Sequence, residues 1–288
     1  MKPQELLNHW VERDCVEDID WFKAQRVALE GADNPGKLLY RVIGLVPRKL
    51  GKADLRLSVE DLNAADAAVK GWDPTGFSVD MAARLALILS VHDGSEEFLH
   101  TFDTLWRTAD VGEQVAFYRG LPLYPQPDAM LWRATDGCRT NIKGVFEAIA
   151  HRNPYPAEYF DEVAFNQLCL KALFVGSNLH LIQSLDGRLN GPLARMMTDY
   201  AFERWAANRV VSPELWRCVA SHPDERCMEA LERALGHEDE LTRKAAALAC
   251  STSQDAGARA LLDTFPALAA LVQNGTLQWK ELAEAFES

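Results

Sequence analysis

Apolar residues recur at three- and four-residue intervals along most of this chain, whereas alternating β-branched runs are nearly absent. A core-facing helix needs the first pattern and a half-buried strand needs the second, so the period alone predicts an all-α protein. The punctuation agrees. Helical stretches at Gln4–Glu12 and Asp20–Leu29 are followed by a GADNPG break at Gly31–Gly36. Ser58 opens LSVEDLNAADAAV with Asp61 at the third helical position, close to a capping box, and Ser78 precedes VDMAARLALILS with Asp80 in the first turn. Phe98, Leu99, Phe102, Leu105 and Trp106 fall at helical intervals. Ser212 and Pro213 supply a start signal in VSPELWRCVA. Only LLYRVIGLV, Leu38–Val46, reads as a strand alternative.

Toward the C-terminus, PDERCMEALERALGHEDELTRKAAALACSTS reads as two short helices across an acidic, glycine-containing turn. Ala245, Ala246, Ala247 and Ala249 suit close helix packing. The expected architecture is an irregular helical array with HEAT- or armadillo-like stacked helix pairs, clearest toward the C-terminus. With 288 residues and 48% apolar content the chain can bury a large core. A single domain over 1–288 is expected, the alternative being a helical part, 1–125, and a solenoid-like part, 126–288.

Forty-two acidic against thirty basic residues give a formal charge of -12, which opposes phosphate backbones and anionic lipid surfaces, so no nucleic-acid partner is expected. Cys15, Cys138, Cys169, Cys218, Cys227 and Cys250 lack CxxC spacing, which argues against a zinc knuckle or redox pair and for small buried hydrophobes. MKPQELLNHWVERD meets charge and Trp before any apolar run of signal length, and no later window approaches about 18 uncharged apolar residues. The cytoplasm is the expected location, without an integral membrane segment. HExxH, GxSxG, a phosphate-cradling glycine loop and a kinase set are all missing, and no cofactor is expected.

Polar residues concentrate in CRTNIKGVFEAIAHRNPYPAEYFDEVAFNQLCLKALFVGSNL, from Cys138 to Leu179. On a helix from Thr140 to Ala150, Ile142, Val145, Phe146 and Ile149 share one sector, while Arg139, Lys143, Glu147 and His151 cross another. That polar face reads either as a solvated surface with an i,i+4 Lys143/Glu147 pair or as a pocket lining. The next helix carries Val163, Ala164, Phe165, Leu168, Cys169, Leu170, Ala172, Leu173, Phe174 and Val175 around nearly its whole circumference, which predicts a central, enclosed rod. Asn166, Gln167 and Lys171 interrupt that coat. Buried amides and ammonium groups must find partners or face a wet cavity, so a register-fixing network and a ligand-lining role are the two readings.

Between the helices, HRNPYPAEYFDE is bent by Pro154 and Pro156 and offers His151, Arg152, Asn153, Tyr155, Tyr159 and Asp161, either as a binding element or as a structural corner. The candidate ligand set is Arg139, Lys143, His151, Asn153, Tyr155, Asn166, Gln167 and Lys171. An enzymatic alternative uses His151 as general acid or base, oriented by Asp161. A metal alternative uses Asp199 and Glu203, one turn apart in DYAFERW after Arg195, against the plainer account of an alternating-charge solvated face. In GWDPTGFSVDMAARL, the residues Trp72, Asp73, Ser78, Asp80 and Arg84 read as turn, cap and an i,i+4 Asp80/Arg84 contact.

Five words together resemble the EboA family: GWDPTGFSVDMAARLALIL, RTADVGEQVAFYRGLPLYP, GCRTNIKGVFEAIAHRNPYPAEYFDEVAFNQLCLKALFVGS, DYAFERWAANRVVSPELWRCV and RKAAALAC. The similarity extends from Leu6 to Ala249. The resemblance implies a protein of the bacterial and algal ebo gene clusters, described as a metabolite-traffic protein. It implies companions from the same cluster, including a prenyltransferase-like membrane protein and TIM-barrel or sugar-isomerase-like proteins. It further implies a link to moving secondary-metabolite precursors, lipid-linked ones among them, toward the cell envelope. It brings no reaction and no residue roles, although Arg139, Asn141, Lys143, His151, Asn153, Tyr155, Asp161, Asn166 and Lys171 all stand in its longest word.

The expected function is a non-catalytic adaptor or carrier-associated protein in precursor transport, binding a pathway partner and a polar or lipid-linked small molecule. Arg139, Lys143, His151 and Lys171 would supply positive charge there, with Asn153, Asn166 and Tyr155 orienting the ligand. Its alternatives are the His151/Asp161 enzyme and a purely structural interaction module. The inner face of the membrane is the alternative location.

Overall fold

The structure, a computed structural model, describes residues 1–275 and 277–287, with 283 and 287 by backbone alone. It is all-α: no strand occurs among the described residues, only an isolated bridge between Asp54 and Ser78. Two compact units divide the chain, residues 1–160 and residues 161–288. The first holds α1 (Pro3–Asp14), α2 (Ile19–Glu30), α3 (Pro35–Ile43), α4 (Val46–Leu50), α5 (Val59–Ala68), α6 (Val79–Val91), α7 (Glu96–Arg107), α8 (Val111–Arg119), α9 (Leu131–Gly137), α10 (Lys143–Ala150) and α11 (Tyr155–Tyr159). The second holds α12 (Glu162–Val175), α13 (Leu185–Arg188), α14 (Gly191–Ala206), α15 (Leu215–Val219), α16 (Glu225–Leu235), α17 (Glu240–Thr252), α18 (Ala256–Asp263), α19 (Pro266–Gln273) and α20 (Trp279–Glu287). The strand alternative at Leu38–Val46 is helical up to Ile43, turns at Gly44 and Leu45, and enters α4 at Val46. No helix among the described residues is long and apolar enough to cross a membrane.

The first unit is organised by α6, whose residues from Val79 to Ile88 are all buried except Met81. It packs against α1, α2, α3, α4 and α8. Ala82, Ala83 and Ala86 let those neighbours come close, because an alanine adds little bulk between helix axes. The Asp80/Arg84 contact is real but it is no surface pair. Arg84 Nη1 lies 2.6 Å from Asp80 Oδ2, and the two side chains are 3% and 9% exposed. The Ser78 hydroxyl donates to Asp80 at 2.6 Å, and Arg84 Nε donates to the Ile43 carbonyl at 3.4 Å. Ser78 therefore precedes the helix as expected but spends its hydroxyl on Asp80 instead of on a helix N–H.

Around this helix, α1 is tied to the start of α5. Ser58 and Asp61 form the capping box that the sequence suggests, and Asp61 also accepts the Trp10 indole N–H at 2.8 Å and Arg13 Nη1 at 2.7 Å. Burial would raise the Asp61 carboxyl, but the Ser58 N–H, Arg13 and Trp10 outweigh it and bring the pKa down to about 2. The inward face of α7 is Phe98, Phe102, Leu105 and Trp106, which joins Phe117, Tyr118 and Tyr124 in one aromatic cluster. A Cβ on Gly120 would run into Leu85 and Tyr124, so only glycine lets the chain pass there.

His92 is buried in the same cluster, 4.3 Å from Phe98 and 5.6 Å from Tyr124 between ring centroids. Its Nδ1 accepts the Gly94 N–H at 3.3 Å, while Nε2 is buried without a hydrogen bond. Burial pushes its pKa down to about 4.

In the second unit α17 is the hub, with α15, α16, α18, α19 and α20 packed on it. Ala245, Ala246 and Ala247 are fully buried and Ala249 nearly so, which is how a helix accepts neighbours on several sides. Helix α14 packs against α12, α15 and α16. Helix α15 starts at Leu215, after the Ser212/Pro213 signal, with Glu214 at the N-cap position making no cap bond. Its carboxylate is turned elsewhere.

Two outcomes follow. Replacing Arg84 by Met strands the Asp80 charge in the core, and urea denaturation should register a loss of about 3–5 kcal/mol, with a smaller loss for the double variant Asp80→Leu/Arg84→Met. Because the folded His92 binds its proton less readily than the unfolded chain does, stability is complete above pH 6.5 and falls as pH drops through the folded value of about 4. His92→Leu should flatten that part of the pH–stability curve by on the order of 2–3 kcal/mol.

Candidate functional site

The polar corner before α11 is a set of ties. Arg119, at the end of α8, donates to the His151 carbonyl at 2.8 Å and to the Asp73 and Thr75 carbonyls at 3.2 and 2.8 Å. Its guanidinium lies 5.0 Å from the centre of the Phe77 ring. Burial pushes Arg119 down to about 10, against the attraction of Asp73. One cation thus joins the turns of GWDPTG and HRNPYP. Asn153 donates to the Tyr118 and Ala148 carbonyls, both at 3.0 Å, and accepts the Tyr155 N–H at 3.1 Å. The Tyr155 hydroxyl donates to the Pro127 carbonyl at 2.5 Å. His151 is buried, Arg152 holds a positive φ of 48° beside it, and Arg152 Nε lies 3.5 Å from Asp73. Arg139 and Lys143 are exposed, with Lys143 3.7 Å from Glu147.

In the second unit, Asp161 caps α12 by accepting the Ala164 N–H at 2.7 Å. Asn166 is buried and pairs reciprocally with Asn190, each amide donating to the other's oxygen at 3.0 Å. Asn190 in turn caps α14 through the Leu193 N–H at 2.8 Å. The Asn166 side chain therefore locks two helices in register. Arg188 lies 4.6 Å from the centre of the Phe165 ring and donates to the Asp161 carbonyl at 3.2 Å. Asp199 is exposed and pairs with Arg226 at 3.0 Å, and Glu203 is exposed too. No group of three His, Cys, Asp or Glu residues able to hold a metal ion occurs among the described residues.

The enclosed-rod expectation for α12 does not hold. Phe165, Leu168, Cys169, Ala172 and Leu173 are buried, but Val163 is 69% and Phe174 62% exposed, Gln167 is exposed and Lys171 half-buried. Apolar composition counts oily residues and does not say which of them find a neighbour. Val163, Gln167, Leu170 and Phe174 fall within about 60° of one another around the axis, with Lys171 at the edge of that stripe. The helix stops at Gly176, whose φ of 66° closes it. Ser177 N–H returns to the Ala172 carbonyl at 2.8 Å and Gly176 N–H to Leu173 at 3.4 Å, a Schellman arrangement. At that end the Phe174 ring meets Tyr200, 4.9 Å between centroids, and a cleft of about 330 Å³ opens, lined by Phe174, Ser177, Tyr200, Arg204, Val210 and Phe286. Arg204 donates twice to the Val210 carbonyl, at 2.9 and 2.7 Å.

Sequence reasoning missed Glu214. Its carboxylate, 1% exposed, accepts the Leu179 and His180 N–H groups at 2.7 and 2.6 Å and lies 3.0 Å from His180 Nδ1. Burial pushes the Glu214 carboxyl up, opposed by His180 and the two N–H donors. No local pattern could have found a contact across more than thirty residues. Asn166→Ala and Asn190→Ala should each cost about 1–3 kcal/mol in denaturant unfolding, and a double-mutant cycle should return a coupling of at least about 0.5 kcal/mol.

Among known proteins, the sequence model of the family described as "Metabolite traffic protein EboA" matches residues 3–220, three quarters of the chain. Neither a curated protein nor a solved structure matches it. The matched span takes in α1 to α15, and with them the Arg119 corner, the Asn166/Asn190 lock and the exposed stripe of α12. On that span the chain belongs to the EboA family of metabolite-traffic proteins.

Proposed function

We propose that this chain is a non-catalytic adaptor in metabolite traffic and that it receives one helix of a pathway partner on the exposed stripe of α12. The carrying observation is the spacing. Val163, Gln167, Leu170 and Phe174 follow a four-three-four rhythm, the interval at which side chains line a coiled-coil seam. A single exposed apolar residue is ordinary, whereas here the exposed Val163 and Phe174 and the half-buried Leu170 share one seam, interrupted by Gln167. Lys171 flanks the strip and Arg204 stands at the cleft into which it runs. These charges favour a partner helix with an apolar seam bordered by carboxylates.

The engagement of the polar residues supports this reading over the enzyme. Asp161 spends its carboxylate on a cap, the Asn153 and Asn166 amides are spent on carbonyls, an N–H and a second amide, and the Tyr155 hydroxyl on a carbonyl. Side chains committed in this way hold loops in place and have little capacity left for a ligand. The companion proteins of the ebo clusters, the prenyltransferase-like membrane protein among them, are the pool from which the partner comes. A location in the cytoplasm or at the inner face of the membrane belongs to the same proposal.

Co-expression with the neighbouring gene products, followed by native mass spectrometry, tests it. The unaltered chain should retain one partner stoichiometrically. Val163→Asp/Phe174→Asp should weaken that complex at least tenfold while changing unfolding free energy by about 0.5 kcal/mol at Val163 and about 1–2 kcal/mol at Phe174, which gives up its contact with Tyr200. Full retention of the partner by the double variant would refute the docking face.

A further inference from the structure

A second cleft in the second unit has a different chemistry. It measures about 430 Å³, within the range of small-molecule sites, and its polar lining includes Asp186, Arg217, Ser221, His222 and Gln254, with the indole of Trp279. We infer that this cleft is a binding site for a neutral, polyhydroxylated ring, a sugar or a sugar-like metabolite. The inference is independent of the α12 stripe and uses none of its residues.

Its charge is balanced. Arg217 grips both oxygens of Asp186, Nε to Oδ1 at 2.6 Å and Nη2 to Oδ2. The Arg217 side chain is 16% exposed and that of Asp186 66% exposed, so the carboxylate keeps outward lone pairs while the guanidinium is held from behind. A charged ligand of either sign meets a like charge in this pair. A hydroxyl does not, because it can donate to the carboxylate and accept from the guanidinium at once.

The other polar groups of the wall repeat that dual character, beside the apolar Leu189, Ala220 and Ala249. The Ser221 hydroxyl donates to the Cys218 carbonyl at 2.6 Å and so turns its lone pairs outward, with His222 Nδ1 3.3 Å away. Gln254 is exposed and its amide offers both a donor and an acceptor. Against these stands one flat apolar surface, Trp279, which the Arg217 guanidinium approaches to 5.8 Å from the ring centroid. A pyranose matches such a cleft because one of its faces presents C–H groups to an indole while its rim presents hydroxyls. A flat aromatic compound would cover the indole and leave the polar wall unpaired, which is costly. Asp186 and Arg217 fall inside the matched family span, and Ser221, His222, Gln254 and Trp279 beyond it.

The test is saturation-transfer NMR on the full chain with methyl glucoside, methyl galactoside, methyl mannoside and N-acetylglucosamine, each at millimolar concentration. At least one sugar should receive magnetisation on its ring C–H protons, with affinity falling tenfold or more in Trp279→Ala and in Asp186→Ala. Circular dichroism should show these variants folded. Should either variant fail to fold, His222→Ala and Gln254→Ala, both at exposed positions, carry the same test, with a threefold loss expected of each. The inference is overturned if no sugar of the panel binds, if binding survives these substitutions, or if indole or benzoate binds the cleft and the sugars do not. Each of those results would leave the α12 docking experiment unaffected.

Discussion

A charge pair inside the most buried helix of the first unit sets the terms for everything packed on it. Asp80 and Arg84 sit one turn apart in α6, out of water, with Ser78 and the Ile43 carbonyl taking up further hydrogen-bonding capacity. Such a pair adds little net stability over a well-packed apolar replacement, because desolvation offsets most of the attraction. Its value lies in discrimination. An apolar helix can slide or rotate among oily neighbours at small cost, but here any rotation of α6 carries the buried pair as a unit away from the Ile43 carbonyl and costs the Arg84 guanidinium that hydrogen bond. The loops joining α3 to α4 and leading into α6 are fixed by the same four groups.

The same economy runs through the polar corners of both units. Arg119 gathers three carbonyls from two turns, Asn153 three backbone groups, and Asn166 one partner amide. Long connections lacking regular structure leave backbone groups unpaired, and these side chains satisfy them. A protein of many short helices has many such connections, which is why polar residues of catalytic appearance gather at its corners. The apolar stripe of α12 is the opposite case: side chains of core type, Val163 and Phe174, that the described residues leave mostly exposed.

The helical character, the Ser58/Asp61 box and the Asp80/Arg84 contact were legible in the sequence, since each depends on residues within one or two turns. The burial of that contact was not, because it depends on the five helices around α6. The α12 error has the same origin. Ten apolar residues on all sides suggested an enclosed helix, yet Val163 and Phe174 stay mostly exposed, Phe174 meeting the Tyr200 ring on one side. Asn166 was marked as needing a partner, but that partner, Asn190, lies 24 residues further along the chain, where no local pattern ties it to α12. Glu214 gave no sign at all. Its two N–H donors come from a turn that has no side-chain pattern of its own.

The left-handed Gly176 that ends α12 also fixes how long any complex on that helix can last. Fourteen residues at about 1.5 Å each give a rod of roughly 21 Å, enough for two heptads of contact and no more. A seam of that length buries less surface than lasting assemblies use and falls in the class of brief encounters. On the proposed docking of a partner helix, residence would then be short.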